Sequence, residues 1–509
     1  MKLHLKLVLI IIVTCFSLKA QSASLIAVCK NLSKSTNECD PKNFLFATYS
    51  TSGNIFNYKI DRGGIGEIGE TDAKSFAEEV LGLWESHSGI DFQTSGDGFI
   101  NVDVNETNYA EYLNTDEPLG YSPVIWDESG ELMDELYGIG AKFNILGFAV
   151  ATFFDTTNDL IIGINESVSV FNGYLFNGVN TGEDSETTIN TFKTTILHEF
   201  GHMFGLDHTQ GGNIEGFKQY NEGELEASEI EDIPVMFPIA ANPLVELQQD
   251  DIAAARLGYP KGDENTLYGK ITGILKYFNS GIKGANVVAY LIDDENPRKR
   301  AVACPSDVNG SGEGSFTLPN LEPGTYIIKA EPLYESFTDG SSVGIHQPID
   351  PTKLKDSYYM GEGQKSFESQ DFNQAVSSAL QINVGAGSST NINFKINLAS
   401  FTIRSNKLEK SIKLNKSKSK IFTFQIRNYY PNKRRRLKFS TNYPNLVKFI
   451  SGRKINFKGK FYTVKVRLSS YNKFLKEFPE IQNNNISIPL TIEDLNTGYK
   501  LDTESFLLY

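Results

Sequence analysis

The 509-residue sequence contains no Gly-X-Y period, no heptad run and no array of similar units, so collagen, coiled-coil and solenoid architectures are excluded. Cysteine is scarce at 4 residues, which excludes a small fold held together by disulfides. Histidine is scarce too, at 6 residues. The composition, with 40% apolar and 22% charged residues, is typical of globular proteins, and the length predicts about two to four domains.

Long apolar runs are also absent, except at the N-terminus. There a basic stretch, residues 1–6, precedes an apolar core, residues 7–18, and a run of small and polar residues, 19–24. This order is typical of a secretory signal peptide, and the core is too short to span a bilayer comfortably. We therefore predict a signal peptide over residues 1–23 and a secreted chain with no transmembrane segment after its removal.

Acidic and basic residues are divided unevenly along the chain. Residues 401–509 contain 23 Lys and Arg against 7 Asp and Glu, a net charge of +16, which with the overall −14 leaves −30 on residues 1–400. Basic clusters at 416–420 and 433–436 fit contact with an anionic cell surface or a glycan. The other interpretation is a basic face that is solvated or that docks on the acidic remainder of the chain, and both interpretations stay open. Nucleic acid is not an expected partner, because the chain is exported and has no recognition motif.

Residues 198–208, with the sequence HEFGHMFGLDH, hold three of the six histidines. Apolar residues before them recur at helical spacing, which predicts one helix over residues 187–204. His198 and His202 then lie one turn apart on the same face. Two imidazoles at that spacing can bind one Zn²⁺, while Glu199 projects beside the metal without ligating it.

The end of this helix decides whether a third ligand can join. Gly205 is a natural stop, because glycine adopts a left-handed backbone without a Cβ clash. The chain can then turn sharply and bring His208 back as the third ligand. Three protein ligands leave one position of a tetrahedral ion open to water, which is typical of catalytic zinc. The plain alternative is an amphipathic helix with solvent-facing histidines, but it does not explain the full constellation.

The segment resembles the zinc motif of the metzincin metallopeptidases, which a methionine-containing turn follows. That turn is present as residues 233–238, IPVMFP, and 27 residues separate His208 from Met236. The resemblance implies an α+β metzincin-type catalytic domain over residues 45–262 and a zinc-dependent endopeptidase activity. It also implies that Glu199 acts as general base and then general acid, and that the methionine forms an apolar floor beneath the zinc ligands.

Within the metzincins the chain is most similar to the matrixins. Thr209 follows the third histidine, and Phe237 stands where astacin-like and serralysin-like enzymes carry a tyrosine ligand. Residues 247–259 resemble the closing helix of matrixin catalytic domains. Residues 57–61 fit the first strand of those domains, and residues 71–87 fit their first long helix.

The chain also departs from the matrixin pattern. It lacks the cysteine-containing prodomain motif, and His87 stands without the other histidines that a second, structural zinc would need. The sequence does not decide whether Ca²⁺ binds in addition to the one catalytic Zn²⁺. Residues 211–232 contain six Glu and one Asp. This stretch either shapes the specificity pocket or forms a solvated acidic loop.

Removal of the signal peptide leaves three cysteines in a compartment where disulfides form. Cys29 and Cys39 belong to the N-terminal segment, residues 24–44. They either pair with each other, or one of them ligates the metal and holds the enzyme latent, although no switch-like motif surrounds either. Cys304 is expected to be a buried thiol.

Residues 145–153 and 159–165 predict two strands just before the zinc-binding helix. In metzincins an edge strand at this place binds the extended substrate by adding it to the sheet. Gly147, Phe148 and Ala149 are therefore candidates for substrate contact. An interior strand is the alternative.

The remaining chain predicts two β domains. Residues 266–398 alternate short strands with glycine-rich turns and resemble the carboxypeptidase regulatory-like, transthyretin-type β-sandwich. Residues 399–509 contain alternating runs at 421–426, 462–468 and 486–492, which predict the strands of a basic, immunoglobulin-like β-sandwich. The expected fold is therefore multidomain, with an α+β catalytic domain followed by two all-β sandwich domains. A protein or peptide is the expected substrate, and the rival hypothesis is a surface adhesion or glycan-binding protein with an ancillary peptidase domain.

Overall fold

The computed structural model describes, with short gaps, residues 54–176, 185–212, 232–238, 245–333, 354–396, 401–404, 419–428, 435–473 and 486–508, together with 25, 27–29, 44–46, 48–49, 216, 219 and 476. The expected signal peptide, the Cys29 and Cys39 side chains and most of the acidic stretch after Gly212 lie outside the described residues. The expected disulfide and signal peptide therefore stay predictions.

The chain divides into two compact units, each with its own internal packing. The first unit comprises residues 1–349 and 356–396, and the second comprises residues 350–355 and 397–509. The expected domain bounds at 262 and 398 stay predictions.

The N-terminal half of the first unit contains a mixed five-stranded sheet in the order β4-β3-β5-β7-β6. Its strands β3, β4, β5 and β7 are parallel, whereas β6 is antiparallel to β7 and is the outer strand on that side. A separate pair, β1 and β2, precedes it. The strands are β1 (Ala27–Cys29), β2 (Phe44–Phe46), β3 (Ile55–Ile60), β4 (Asp91–Gln93), β5 (Ser122–Asp127), β6 (Gly147–Thr157) and β7 (Leu160–Asn172).

Helices lie between and after these strands along the chain. They are α1 (Glu70–His87), α2 (Ala110–Leu113), α3 (Glu131–Tyr137), α4 (Ser185–Met203), α5 (Gln249–Gly258) and α6 (Glu264–Leu267), and two short 3₁₀ turns span Ala141–Phe143 and Gly173–Phe176. In α1 the apolar residues recur at helical spacing, so one stripe of the helix is buried in the core. That stripe consists of Ala73, Ala77, Val80, Leu81 and Trp84.

The core fixes α4, the helix that carries the histidine motif, from both sides. The Nε1–H of Trp84 donates to the carbonyl of Leu197 over 3.0 Å, and the indole packs edge-on against Phe204. At the other end of α4, Ser167 donates to the Met203 carbonyl over 2.7 Å, and the Tyr259 hydroxyl donates to the Phe204 carbonyl. The last carbonyls of a helix have no partner within the helix, so these two hydroxyls satisfy them.

The rest of the first unit is built from short strands in two sheets, whose described pairings are antiparallel except that Ser389–Lys395 runs parallel to Gly269–Tyr277. One sheet has the order β11-β10-β13-β14-β15, with β16 also paired to β13, and the other has the order β12-β8-β17, with β9 paired to β8. These elements are β8 (Gly269–Tyr277), β9 (Ser280–Gly281), β10 (Ala285–Leu291), β11 (Ala301–Pro305), β12 (Ser315–Leu321), β13 (Gly324–Pro332), β14 (Ser357–Tyr358), β15 (Phe367–Glu368), α7 (Phe372–Ser378), β16 (Ile382–Val384) and β17 (Ser389–Lys395). Cys304 lies on β11 and is buried, as expected. We call residues 269–396 the first β-sandwich.

The second unit contains two four-stranded sheets, in the orders β18-β19-β23-β21 and β22-β20-β25-β26, and a small pair of β24 with β27. The strands are β18 (Phe401–Arg404), β19 (Lys420–Asn428), β20 (Arg435–Thr441), β21 (Val447–Phe449), β22 (Lys454–Phe457), β23 (Phe461–Leu468), β24 (Ile486–Ser487), β25 (Leu490–Asp494), β26 (Lys500–Thr503) and β27 (Leu507–Leu508). The run at 486–492 was expected to form one strand. It is divided between β24 and β25, which belong to different sheets.

The protein is therefore multidomain, and its described residues form several β-sheets and few helices. None of the helices among the described residues is long and apolar enough to cross a membrane.

Replacement of Tyr259 by Phe tests how α4 is held. The hydroxyl of Tyr259 donates to the Phe204 carbonyl and accepts the Tyr49 N–H over 3.0 Å, and all of these groups are buried. Removing it leaves a buried donor and acceptor unpaired, so we expect a loss of about 1–3 kcal/mol. Calorimetric unfolding of the full chain checks this. Tyr268→Phe is the control, because that ring lies under Arg256 and keeps this contact without its hydroxyl. Equal unfolding temperatures for the two variants would contradict the prediction.

Candidate metal centre

The turn after α4 is built by a glycine in the left-handed region. Gly205 has a φ of 100°, its N–H donates to the His202 carbonyl over 3.0 Å, and the Leu206 N–H donates to the Gly201 carbonyl over 2.8 Å. These two bonds form the Schellman arrangement that ends helices. The chain therefore reverses within three residues and brings His208 back beside the helix, as the sequence predicted.

The three imidazoles of His198, His202 and His208 meet at their Nε2 atoms. The Nε2 of His202 lies 3.1 Å from that of His198 and 3.2 Å from that of His208. A tetrahedral ion with Zn–N bonds of about 2.0 to 2.1 Å separates its nitrogen ligands by about 3.3 Å. The three histidines are the only group of ligating side chains of this kind among the described residues.

Backbone carbonyls behind two of the rings determine where their protons lie. The Nδ1 of His198 is 2.6 Å from the Val235 carbonyl, and the Nδ1 of His202 is 2.8 Å from the Leu206 carbonyl. A carbonyl oxygen only accepts, so each Nδ1 carries the hydrogen and each Nε2 of a neutral ring presents a lone pair. Two such lone pairs at 3.1 Å repel unless a cation lies between them. The donor set therefore fits Zn²⁺, and the carbonyls are the outer partners that orient metal-binding histidines.

Their surroundings keep the rings neutral. Burial, and then the nearby His198, lowers the pKa of His202 to about 3. Burial also lowers the pKa of His198, against the effect of its bond to Val235, and burial with the two neighbouring rings lowers the pKa of His208 well below its usual value. Neutral imidazole is the form that binds metals.

Glu199 lies next to the histidines on α4 and is only 8% exposed. Burial raises the pKa of its carboxyl to about 8, although the backbone N–H of Ala149 donates to it and acts in the opposite direction. A carboxyl with a raised pKa is suited to take up and release a proton near neutral pH. Gly147 lies against the same side chain, because a Cβ there would be 3.3 Å from Glu199 Cγ.

Met236 packs against α4 at Gly201 and is 1% exposed. A Cβ added to Gly201 would lie 2.2 Å from the Met236 sulfur, so the thioether fills the space that the missing side chain leaves on α4. Gly201 lies three residues after His198 and one before His202, on the face that carries the ligands. The methionine therefore packs against α4 between its two histidines, and its role as an apolar floor beneath their rings stays a prediction.

Asp251 holds the loop around Met236 and was not singled out in the sequence. Its carboxylate accepts the N–H groups of Val235, Met236 and Gln248, each over 2.9 Å. Burial nevertheless raises the pKa of Asp251 to about 6. The loop whose carbonyl orients His198 is thus bound to the start of α5. Adjacent aspartates at the start of a predicted helix were visible in the sequence, but their distant partners were not.

Asp250 connects α5 to the segment after the third histidine. One of its oxygens accepts the Thr209 hydroxyl, whose oxygen in turn accepts the Gly211 N–H over 3.2 Å. The Thr209 N–H donates to the Met236 carbonyl over 2.9 Å. Burial raises the pKa of Asp250 to about 7 against the effect of these donors. Hydrogen bonds therefore join the His208 segment, residues 208–211, to the loop at residues 232–238, which we call the methionine loop.

The candidate substrate residues Gly147, Phe148 and Ala149 lie on β6, the outer strand of the described sheet on the side of the centre. Tyr137, which the sequence did not indicate, packs its ring edge-on against Phe148 at 5.3 Å. Burial and the nearby Glu199 raise the pKa of the Tyr137 hydroxyl. His87 lies at the far end of α1, where its Nδ1 contacts the Leu83 carbonyl over 3.0 Å, away from the three histidines.

Comparisons with known proteins do not identify the chain. No protein-family model matches it, and no curated protein matches it. Similar solved structures include a FixG-related protein from Vibrio parahaemolyticus, with 13% identity over 21% of this chain and 93% of that chain and a TM-score of 0.15. They also include BcpA, the major pilin subunit of Bacillus cereus, with 11% identity, 47% and 69% coverage and a TM-score of 0.17.

The VesB protease of Vibrio cholerae is similar at 8% identity over 44% of this chain and 61% of that chain, with a TM-score of 0.15. TM-scores of this size support no conclusion about fold or activity.

Replacement of Gly201 by Ala tests the methionine floor. The added methyl group would collide with the Met236 sulfur, so the loop that also carries the Val235 carbonyl must move away from His198. Loss of such an outer partner typically costs about 10- to 100-fold in metal affinity, and we expect that loss in zinc titrations against a chelator. Gly82→Ala is the control, because nothing lies within 4 Å of a Cβ there. Unchanged zinc affinity in Gly201→Ala would contradict the assignment.

Proposed function

We propose that the protein is a secreted zinc-dependent endopeptidase of extracellular proteins. The observation that carries this proposal is the convergence of three neutral imidazole nitrogens beside Glu199. Three nitrogen ligands with an adjacent carboxyl are typical of catalytic zinc, because one coordination position stays open for water. Export is supported by the N-terminal sequence pattern alone.

Several features of the surrounding fold agree with an α+β, metzincin-type domain of the matrixin group. A long helix ends at a left-handed glycine between the second and third histidine, and Met236 packs against Gly201 of that helix. Asp251 binds the methionine loop to the start of the closing helix. These features come from separate parts of the chain, so the agreement does not depend on the histidine motif alone.

His198, His202 and His208 would hold the ion. Bound there, Zn²⁺ supplies two effects: it lowers the pKa of a water to about 7 and polarises the scissile carbonyl. Glu199 takes the proton from the attacking water and later passes it to the departing amine, so that one carboxyl acts as base and then as acid. Its burial and its hydrogen bond from the Ala149 N–H restrict the position of the carboxyl.

The outer strand β6 would bind the substrate. A peptide in extended conformation pairs with an unpartnered strand edge through backbone hydrogen bonds, and the pockets beside the strand then select side chains. Backbone groups alternate between the two sides of a strand, so Gly147 and Ala149 share one side and Phe148 the other. The Ala149 N–H is directed to Glu199, which puts the outward side of β6 next to the base.

Glu199→Gln is the direct test of this chemistry. The amide keeps the size of the side chain but cannot take up a proton, so we expect zinc to remain bound and kcat/KM on a protein substrate to fall at least about 100-fold. His202→Ala should instead lose the metal. Zinc content and chelator-sensitive cleavage of casein by the full-length protein measure both effects.

Glu111→Gln, an exposed change on α2, is the matched control and should keep the parent rate. Cleavage by Glu199→Gln at the parent rate would sink the assignment of the base. Zinc binding without any cleavage by the parent protein would contradict the peptidase proposal.

A second function, attachment to an anionic surface or glycan, is supported by one face of the second unit. Lys448, Lys465 and Arg467 are exposed on the adjacent strands β21 and β23, and Lys448 lies directly opposite Arg467. Like charges in that position destabilise a sheet. No carboxylate among the described residues forms an ion pair with these three. An anionic partner would relieve their repulsion.

We expect the full-length protein to bind immobilised heparin, used as a sulfated polysaccharide probe, in a salt-dependent manner. The triple change Lys448→Gln, Lys465→Gln and Arg467→Gln should elute at clearly lower salt. The control removes three positive charges from the first β-sandwich, at Lys270, Lys276 and Lys283. Equal elution of the two variants would show that net charge, not this face, causes retention, and would contradict a specific surface.

A further inference from the structure

The first β-sandwich packs directly on α5, the helix whose two aspartates hold the metal centre. The Gln249 side chain donates to the Asn320 carbonyl over 3.1 Å, and the Asn320 side chain donates to the Ala253 carbonyl over the same distance. The Gln249 N–H also donates to the carbonyl of Lys299. Gln249 and Asn320 are buried in this contact. These bonds hold α5 at both its first turn and its middle.

One contact reaches the third histidine through two side chains. The N–H of Ala303 donates to one oxygen of Asp250 over 2.7 Å, and the other oxygen accepts the Thr209 hydroxyl. Thr209 is the neighbour of His208, and its own N–H donates to Met236. The path from the sandwich to the metal ligand therefore contains only Asp250 and Thr209, both buried.

The contact between Ala303 and Asp250 also supplies a hydrogen-bond partner to the first β-sandwich itself. Ala303 lies on β11, the edge strand of its sheet, and pairs with Val288 of β10 on one side. The outward N–H groups of an edge strand require another partner. Asp250 is that partner for Ala303, so a single buried carboxylate completes the sheet edge and fixes the His208 segment.

A second contact reaches the methionine loop. Asp232 begins that loop with a φ of 66°, a left-handed backbone that is uncommon outside glycine. Its side chain accepts the amide of Asn296, from the turn between β10 and β11, over 2.7 Å. The sandwich therefore touches the loop that carries the carbonyl behind His198 as well as the segment that carries His208.

We propose that the first β-sandwich is a positioning element of the metal centre, and that zinc affinity depends on its residues Ala303 and Asn296. The proposal rests on the zinc centre of the proposed function. Asn296 acts through Asp232 on the methionine loop, and Ala303 acts through Asp250 and Thr209 on the third ligand. Neither residue touches the metal or the substrate.

Asn296→Asp in the full-length protein tests the contact, because it opposes two carboxylates where an amide now donates to Asp232. We expect zinc affinity, measured by chelator competition, to fall about 10-fold or more. Asn393→Asp is the matched control: that amide donates to Glu362 over 3.0 Å on an exposed face of the same sandwich. Its zinc affinity should equal that of the parent.

Thr209→Val and Thr209→Ser test the path through Asp250 without charge changes. The valine removes the hydroxyl that Asp250 accepts and should weaken zinc binding about 10-fold, whereas the serine keeps the hydroxyl and should restore it. Unfolding of the metal-free variants is measured in parallel. A purely structural role would lower the unfolding temperature of Asn296→Asp and leave its zinc affinity unchanged, and that result would overturn the proposal.

The outcomes separate this proposal from the peptidase. A parent protein that binds zinc without cleaving protein contradicts only the peptidase activity, and the affinity comparison still stands. Equal zinc affinities for Asn296→Asp and Asn393→Asp overturn only the positioning role.

Discussion

At the candidate metal centre the Nε2 atoms of His198 and His202 lie 3.1 Å apart, and each of them can only accept a hydrogen bond. The carbonyls of Val235 and Leu206 impose this arrangement, because each takes the Nδ1–H of one ring and turns its lone pair inward. Such a contact is unfavourable without a cation. The left-handed Gly205, the methionine loop and the bonds that hold α4 all maintain it, so the surrounding fold preorganises a candidate metal site.

Burial shifts the pKa values of the buried carboxyl groups upward, whereas it shifts those of the three histidines downward, and in both cases it favours the neutral form. Glu199, Asp250 and Asp251 receive backbone or hydroxyl donors, yet burial raises their pKa values to about 8, 7 and 6. An unfolded chain releases these protons near pH 4, whereas the folded metal-free protein retains them to higher pH. Its stability therefore falls as the pH rises through that window. Under the proposed function, a divalent cation bound beside Glu199 would oppose this loss and so would couple metal binding to folding.

Much of the candidate site could be predicted from the sequence, because its chemistry is local. His198, His202 and Glu199 share one helical face, and Gly205 marks the turn to His208, so periodicity and one glycine suffice. The position of Met236 required a family resemblance. Its contact with Gly201 is a long-range packing relation that no local pattern contains.

The roles of Asp250, Asp251 and Tyr137 could not be predicted for the same reason. Each depends on partners far away in the chain, such as Ala303 for Asp250. The strands were predicted well where alternation was clear, but alternation does not specify which strand pairs with which. The run at 486–492 shows this, since its two halves pair in different sheets.

The position of Ala149 connects the proposed base with the proposed substrate strand. Its N–H donates to Glu199, and by the two-residue alternation of a strand its backbone faces the open edge of β6. Under the proposed function, a peptide paired along that edge meets one N–H that is already engaged by the base. Such a peptide would therefore form one backbone bond fewer at Ala149 than at the other outward residues of β6. Under the proposed function, the strand that binds the substrate and the helix that carries the base are thus joined at this one residue.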